Sequence, residues 1–449
     1  MDIEKMIQGL AKETIYSNFF RERLAQTQPV WLKTLRENAF DRFATLDFPT
    51  PRHEEWKYTN IAPLVKAFSA GGFSCRADVA GKSALAAHVY EETAQSLMVF
   101  VNGQFRADLS DLSALPAGAV VTDLGAAAQE THAQAALARE RLARGAACQE
   151  AAFTALNTAL WASGALVYVP QGVEVAAPLQ VLFLTDPQDE RAFSNTRLLV
   201  VAEARSKLTL VESYSATHDC NYWTNSVTEI FVGDGANVEH YKIQRESADA
   251  FHIHTTHTEL GRDSRYDATN INLGGAISRH DIGIKFTAPG AEAWADGLYL
   301  MGDTQHTDTH SRIDHSVAHC ASRQSYKGIL DGKSRAVFNG KVFVHEHANG
   351  TDAQQSNKNL LLSNTARVDT KPQLEIYNDD VKCAHGATVG QMEEEELFYL
   401  LSRGLHEGLA RNLLTYGFAE EIINKIAIPS VKAQLDETVL NRLHAKLEA

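Results

Sequence analysis

Residues 197–213 read RLLVVAEARSKLTLVES, and the period of this stretch decides the fold. Two runs, each long enough for one short strand, flank Ala204-Arg205-Ser206, and both are apolar or alternating rather than helical in period. The same texture continues on either side in LVYVP (166–170), LQVLFL (179–184) and VTEIFVG (227–233). Small or acidic turn residues separate the runs: Gln171-Gly172-Val173, Ala204-Arg205-Ser206, Gly233-Asp234-Gly235, Asp263-Ser264, Pro289-Gly290, Asp331-Gly332-Lys333 and Asn364-Thr365. Most of these turns are about thirty residues apart, a spacing typical of stacked repeats. The gap from Pro289 to Asp331 is longer and points to a different or extra coil. No helix-length periodic segment intervenes, so the region is not built of βαβ units. Coils of short strands without helices between them make a β-solenoid; a sandwich would need fewer residues or two domains.

The solenoid pattern holds over residues 161–390, and both flanks read differently. Residues 1–160 are mostly helical in pattern: Ile3, Met6, Ile7 and Leu10 lie at helical spacing, and Trp31, Leu35 and Ala39 repeat it after Pro29. Pro49 and Pro51 then break the chain. SLMVFVNGQF predicts a strand pair turning at Asn102-Gly103, and the Ala-rich stretch from Ala126 to Ala162 predicts helix again. From 391 to 449 the chain is amphipathic helix. Glu393–Glu396 occupy a first turn, where the helix dipole favours acids, and Gly404 is placed to end that helix. Val431, Leu435, Val439 and Leu443 continue the stripe beyond Pro429. Helices in this position are expected to cap the solenoid, or to present a surface to another protein.

Composition narrows the function. A chain of 449 residues with 44% hydrophobic and 22% charged residues is long enough for two or three folding units of a globular protein. A net charge of −14 disfavours nucleic acid or an anionic membrane as the main partner. The sequence holds no apolar run long enough to span a membrane and no apolar signal core in MDIEKMIQGLAKE, so a cytoplasmic location is expected. The five cysteines (Cys75, Cys148, Cys220, Cys320, Cys383) are scattered without a CxxC, which argues against a self-sufficient zinc or cluster site. No GxSxG and no GxxxxGK[ST] occurs, so neither a nucleophile elbow nor ATP binding by this chain is expected.

What remains is a set of short-spaced donors. Cys383 and His385 stand one residue apart in LEIYNDDVKCAHG; on a strand such residues share a face, with Cα atoms about 6.5–7 Å apart. Thiolate and imidazole suit iron, zinc or Cu(I), and a buried thiol beside a hydrogen-bonded imidazole is the plainer reading. Asp379 and Asp380 are expected to raise the thiol's pKa. Two donors do not close a metal site, so the remainder would come from another segment or another chain. His252 with His254, His345 with His347, and Asp308 with His310 show the same spacing and read as polar ladders inside a solenoid. His319-Cys320 reads as structural. The adjacent Asp379-Asp380 makes a poor acid–base pair, because neighbours on a strand point apart.

At these residues the chain resembles a known family. SRQSYKGILDGKSRAVFNGKV (322–342) and NKNLLLSNTARVDTKPQLEIYNDDVKCAHGATVGQMEEEELFYLLSRGL (357–405) are similar to the SufB/SufD family of iron–sulfur cluster assembly proteins. FPTPRHEEWKYTN (48–60) and FTALNTALWASGALVYVPQGV (153–173) resemble that family's N-terminal signatures. Lys382-Cys383-Ala384-His385-Gly386-Ala387-Thr388 matches the SufD pattern. The SufB pattern has glutamates flanking that histidine and a cysteine just before its LL strand, where this chain has Ser356-Asn357-Lys358-Asn359. The resemblance implies a mainly β fold, a right-handed parallel β-helix between α-helical N- and C-terminal regions. It implies a non-enzymatic subunit of a SufB–SufC–SufD scaffold, pairing with a SufB-like paralogue and docking a SufC-like ATPase through C-terminal helices. Glu394, Leu397, Phe398, Leu401, Arg403 and Leu405 are the residues expected to form that docking face. It further implies that His385, with Cys383, binds iron or a nascent cluster transiently at an interface completed by SufB. A homodimer of the isolated chain is compatible with it. A reduced flavin goes with such complexes, and no residue here matches a flavin motif. Two readings from other classes stand beside this one: an exported β-helix enzyme acting on polysaccharide, which would need an exposed carboxylate cleft, and a homodimeric structural solenoid.

Overall fold

The computed structural model describes residues 15–68, 73–74, 81–145, 151–186 and 191–444. Four short strands come first: β1 (Phe73–Ser74), β2 (Leu97–Val101), β3 (Gln104–Phe105) and β4 (Val120–Asp123). The runs that follow all become strands and sort by parity. One sheet holds β5 (Gly164–Val169), β7 (Arg191–Ala202), β9 (Trp223–Val232), β11 (Phe251–Leu260), β13 (Ile277–Phe286), β15 (His306–His315), β17 (Arg335–Val344) and β19 (Arg367–Ile376). The other holds β6 (Leu179–Thr185), β8 (Lys207–Ala216), β10 (Asn237–Arg245), β12 (Arg265–Asn272), β14 (Glu292–Met301), β16 (Ala321–Leu330), β18 (Thr351–Leu361) and β20 (Val381–Gly390). From β5 onward each strand pairs in parallel with the strand two before or two after it, so the chain rises one turn for every two strands. Equivalent positions step from Trp223 to Phe251, Ile277, His306, Arg335 and Arg367, 26 to 32 residues per turn. The mainly β, parallel solenoid expected from the repeat is the observed architecture.

One corner explains the period. Between each odd strand from β5 to β17 and the even strand that follows it, a single residue takes a left-handed conformation: Gly172, Arg205, Gly235, Asp263, Gly290, His319 and Gly350, with φ from 51° to 82°. Their N–H groups link the turns. Arg205 donates to the Asp234 carbonyl at 2.8 Å, Gly235 to Arg262 at 2.7 Å and His319 to Asn349 at 2.7 Å. The backbone groups that a sharp corner would strand are thus paired with the next corner. This corrects the expectation of an extra coil between Pro289 and Asp331. Pro289-Gly290 joins β13 to β14, whereas Asp331-Gly332 joins β16 to β17, which lies at the other corner. The interval is one and a half ordinary turns, and the corner inside it, with His319 at φ 59°, is not among the turns read from the sequence.

Alternation divides each strand between lumen and exterior. In β8, Leu208 and Leu210 enter the central core while Val211 faces out. Farther along β8 the lumen turns polar at Glu212, and on the neighbouring strands at His240, Lys242, His252 and His254, all buried. The outer faces are covered by the flanking helices. α1 (Ile15–Ala25), α2 (Val30–Leu46), α3 (Ala62–Phe68) and α4 (Ala152–Leu160) cover the odd sheet, where Phe43, Phe48, Phe68 and Phe153 close over Trp223 and Phe251. α2 turns Leu32, Arg36, Ala39 and Phe43 inward, with Trp31 and Leu35 at its margin; Arg36 is buried because it donates to the Ala159 and Trp161 carbonyls. The Ile3–Leu10 stripe lies outside the described residues. β2 and β3 form the expected hairpin, with Asn102 and Gly103 both at positive φ. The single helix expected from Ala126 to Ala162 is instead broken into Leu124–Ala127, Ala135–Arg141 and α4, with residues 146–150 outside the described range.

At the other flank, α5 (Glu394–Ser402), α6 (Glu407–Ile423) and α7 (Pro429–His444) follow β20. Ile422, Ile423, Val431, Leu435 and Val439 pack onto Ile243, Ile271, Leu298 and Ile329, outward residues of the even sheet. These helices therefore cover a side of the solenoid and do not cap its end, because their apolar stripe matches the lateral face of β10 to β16. α5 contributes no buried residue, and Gly404 at φ 91° turns the chain after it. Among the described residues no helix is long and apolar enough to cross a membrane.

Candidate functional site

Among the described residues the last turn leaves lumen positions open to solvent. Among the described residues β19 pairs only with β17 and β20 only with β18, so both leave a row of backbone groups without a described strand partner. Such edges are templates for pairing with another chain. Within β20, Cys383 lies in register with Ala353 and His385 with Gln355, both lumen positions of β18. The alternation that buries Ala353 and Gln355 therefore puts Cys383 and His385 on the inward face of the last turn, and among the described residues no further turn covers them. His385 is exposed and Cys383 half-buried.

The sequence-predicted pair is thus brought to one face, and its two members differ chemically. Cys383 sits against an apolar nest of Val342, Val344, Ala348 and Ala353. Burial, and then the Asp352 carboxylate of the neighbouring turn, raise its thiol above the ordinary value, with an Ala353 backbone hydrogen bond acting the other way. The acid concerned is Asp352 rather than Asp379 or Asp380, which lie exposed in the corner before β20. Cys383 is therefore a protonated thiol under ordinary conditions and a weak ligand. Among the described residues no group of three or more His, Cys, Asp and Glu side chains is arranged to hold a metal ion. Two donors on an open face suit a cargo ion or cluster that finds its other ligands elsewhere.

The remaining histidines go mostly into structure. His252 and His254 are fully buried in the lumen, with His252 Nδ1 2.8 Å from Glu246 and His254 Nε2 3.2 Å from Thr228; the His254 ring centroid is 4.7 Å from that of His280. These form the expected polar column. His345 and His347 do not, because they fall in the corner after β17 rather than on a strand; His345 instead bonds Asp314 at 2.7 Å. Cys320 is buried in the core and His319 holds its corner.

Asp308 and His310 face outward, and they floor a groove of about 450 Å³ whose rim is Arg52, Glu54, Glu55, Lys57 and Lys371. Asp308 lies 2.7 Å from Arg279 and 3.0 Å from His310, and Thr59 donates to it at 2.5 Å. Burial opposes charge on both partners, but the cations hold Asp308 well below the carboxylate range, and Asp308 with Glu55 raises His310 to about 9. A carboxylate so held is no general acid, which counts against a polysaccharide-cleaving cleft here. The groove was missed in sequence because its walls come from segments some 250 residues apart; the only signal was the alternation of HTDTH.

The residues expected to dock an ATPase lie on and just after α5. Glu394, Phe398, Leu401 and Arg403 are exposed, and Leu397 and Leu405 half-buried. Phe398 is 71% exposed, which is unusual for a phenylalanine. Tyr399, Leu409 and Leu413 extend the apolar surface onto α6 and were not singled out in sequence. The i, i+4 pair Leu409–Leu413, on the side of α6 away from buried Ala410, was the available signal.

The family model described as SUF system FeS cluster assembly, SufBD core domain, matches residues 183–418, and that of the SufBD protein N-terminal region matches residues 11–181. An iron–sulfur cluster assembly SufBD family protein of Synechocystis sp. is 37% identical over 98% of this chain and 95% of its own length. The iron–sulfur cluster assembly protein SufD of Escherichia coli is 30% identical over 88% of this chain and 89% of its own. SufD of Bacillus subtilis is 28% identical over 95% and 97%.

Proposed function

The chain belongs to the SufBD family of iron–sulfur cluster assembly proteins and is SufD-like, and from that membership we propose that it is a non-enzymatic scaffold subunit that pairs with a SufB-like paralogue through its open last turn and docks a SufC-like ATPase through α5 and the start of α6. The observation that carries the reading is the exposure of His385 on a lumen position that no described strand of this chain covers. Iron or a nascent cluster is cargo in this reading: His385 supplies an imidazole nitrogen, the partner supplies the other ligands, and Cys383 plays a lesser part because its thiol stays protonated. Any flavin belongs to the whole complex, with no residue of this chain assigned to it. A cytoplasmic location goes with this role. The unpaired edges also support a homodimer of the isolated chain, since a two-fold pairing of like edges is self-complementary.

The test is His385→Ala in the complex purified from its own cell. Complex yield is expected to stay near the parental level, because one exposed side chain is a small part of a strand-edge interface. Delivery of clusters to an iron–sulfur reporter enzyme is expected to fall. Full delivery by a normally assembled variant overturns the ligand role, and loss of assembly together with delivery assigns His385 to the interface instead.

A further inference from the structure

Beneath His385 the lumen holds a file of amides with a defined polarity. Gln355 is 4% exposed and occupies the β18 position in register with His385, on the same inward face. Its Nε2 donates to Gln324 Oε1 at 2.7 Å, and Gln324 Nε2 donates to Ser311 Oγ at 2.8 Å. The Gln355 amide thus gives its proton to the turn below, while Gln324 and Ser311 meet across the lumen of one turn, Ser311 Oγ also lying 3.1 Å from Gln324 Oε1. A Cβ built on Gly340 of the facing strand would come within 2.3 Å of Gln355 Nε2, so the amide nitrogen fills the space that glycine leaves and the side chain is held from two sides. The carbonyl end is left over. Gln355 Oε1 is buried without a hydrogen-bond partner among the described residues. A buried acceptor left unmade costs about 1–3 kcal/mol. The residue in register above it is His385, one strand spacing of about 4.8 Å away along the backbone.

We propose that Gln355 is a positioning residue for His385: its Oε1 receives one ring N–H of His385, fixing the ring's tautomer and leaving the opposite nitrogen's lone pair to face the partner protein. A neutral imidazole has one donor and one acceptor nitrogen, so engaging the donor determines which nitrogen is free to ligate. Groups that hold a ligating histidine in this way also raise its basicity as a ligand. The inference rests on the reading of His385 as an iron or cluster ligand, but its geometric content is testable without iron.

The experiment uses the full chain labelled with ¹⁵N-histidine. Long-range proton–nitrogen spectra are recorded at pH about 8.5, above the reference imidazole value, with His385 assigned by its loss in His385→Ala. The expected result is a single tautomer for His385 in the parent, a mixture in Gln355→Leu, and the single tautomer restored in Gln355→Glu, which keeps an acceptor. Thermal melts of both variants establish that they are folded; Gln355→Leu also loses the hydrogen bond from Gln355 Nε2 to Gln324 and is expected to melt modestly below the parent while remaining folded. A tautomer mixture in the parent, or an unchanged single tautomer in folded Gln355→Leu, overturns the proposal. If Gln355→Leu does not fold, the parent and Gln355→Glu spectra still decide it. Cluster delivery is measured in parallel and is expected to fall roughly ten- to hundred-fold in Gln355→Leu, the usual cost of losing such a partner. Normal delivery by His385→Ala with the tautomer result intact would reject the ligand role while leaving the orientation standing. Lost delivery by His385→Ala with no tautomer effect would do the reverse.

Discussion

The C-terminal helices carry two faces with opposite expectations, and substituting one residue on each separates them. Leu435 is 1% exposed and lies at i+4 from Val431 and at i−4 from Val439, both fully buried against the even sheet. Leu435→Ala removes three carbons from a packed site and should cost about 2–5 kcal/mol. Phe398 is 71% exposed and its helix buries nothing, so Phe398→Asp should change stability by no more than about 0.5 kcal/mol. Denaturant unfolding followed by circular dichroism measures both, and co-purification with the ATPase measures docking. The expected pattern is crossed: Leu435→Ala is destabilised yet still binds the ATPase at low temperature, and Phe398→Asp is as stable as the parent yet fails to bind. Deleting everything from Glu394 is a poorer test. It would bare Val211, Tyr241, Ile243, Ile271, Leu298, Leu300 and Ile329, a gross loss of roughly 10–20 kcal/mol of burial at about 1.5–3 kcal/mol each, before the entropy regained by unordered helices. The truncated chain is expected to aggregate. A soluble truncate with an unchanged midpoint, or equal stability losses from Leu435→Ala and Phe398→Asp, would refute this assignment of faces.

Two further outcomes follow from the geometry. Cys383→Ser should leave complex yield unchanged and reduce cluster delivery less than His385→Ala does, because the thiol is held protonated by burial and Asp352; a loss as large as that of His385→Ala, by the same reporter assay, would make Cys383 a ligand. His310 is raised from 6.5 to about 9, so the stability it contributes is whole below pH about 6.5 and is lost as pH rises through about 9, at most about 3 kcal/mol. The midpoint of unfolding should therefore fall between those values more steeply in the parent than in His310→Gln, and parallel curves would show that the Asp308 pairing has no such effect.

The period of RLLVVAEARSKLTLVES was enough for the solenoid because most turns repeat the same pattern: alternate side chains buried inward, a left-handed residue at the corner between the two sheets, and a hydrogen bond from one corner to the next. The turn residues were legible where the left-handed position is filled by Gly235 or Gly290 and illegible where it is filled by His319, since nothing in a lone histidine announces a positive φ. The C-terminal stripe Val431–Leu443 was legible as amphipathic, but not its destination. A sequence shows that a face must be buried, not whether it covers the end or the side of what precedes it. The same limit hid the groove at Asp308 and His310, whose walls meet only after the 50–60 segment folds back over β15. The Cys383–His385 pair was legible as a shared face from strand spacing alone, and its role came from the family resemblance. That the face is uncovered depends on β20 being the last strand of its sheet, a property of the fold as a whole.

That property gives half a site its physical sense. At any inner turn of a solenoid a side chain on the lumen face is covered by the next turn, as Gln324 is by Gln355 and Gln355 by the strand that bears His385. At the last turn the identical strand geometry leaves the side chain at the open end of the lumen, backed by a stack of buried residues on the turns below. A histidine there needs no loop to present it and pays little ordering entropy when a partner's strand adds on, because its neighbours below are already immobile. The partner's added strand would meet the edges of β19 and β20 and the imidazole of His385 together, so pairing and ligation are one geometric event. An interfacial cargo site built this way should be disrupted by anything that shifts the register of the last turn. Glu421 of α6 pairs with Lys327 on β16, and Lys425 beyond it lies 2.7 Å from Asp296 on β14. Through these two ion pairs a pull on the docking helices acts on strands two and three turns below His385. Exchanging Lys425 for Met should therefore weaken the dependence of cluster delivery on ATP while sparing ATPase binding, as read by the reporter enzyme with and without nucleotide; an unaltered nucleotide dependence would show that the helices act on the last turn by another route.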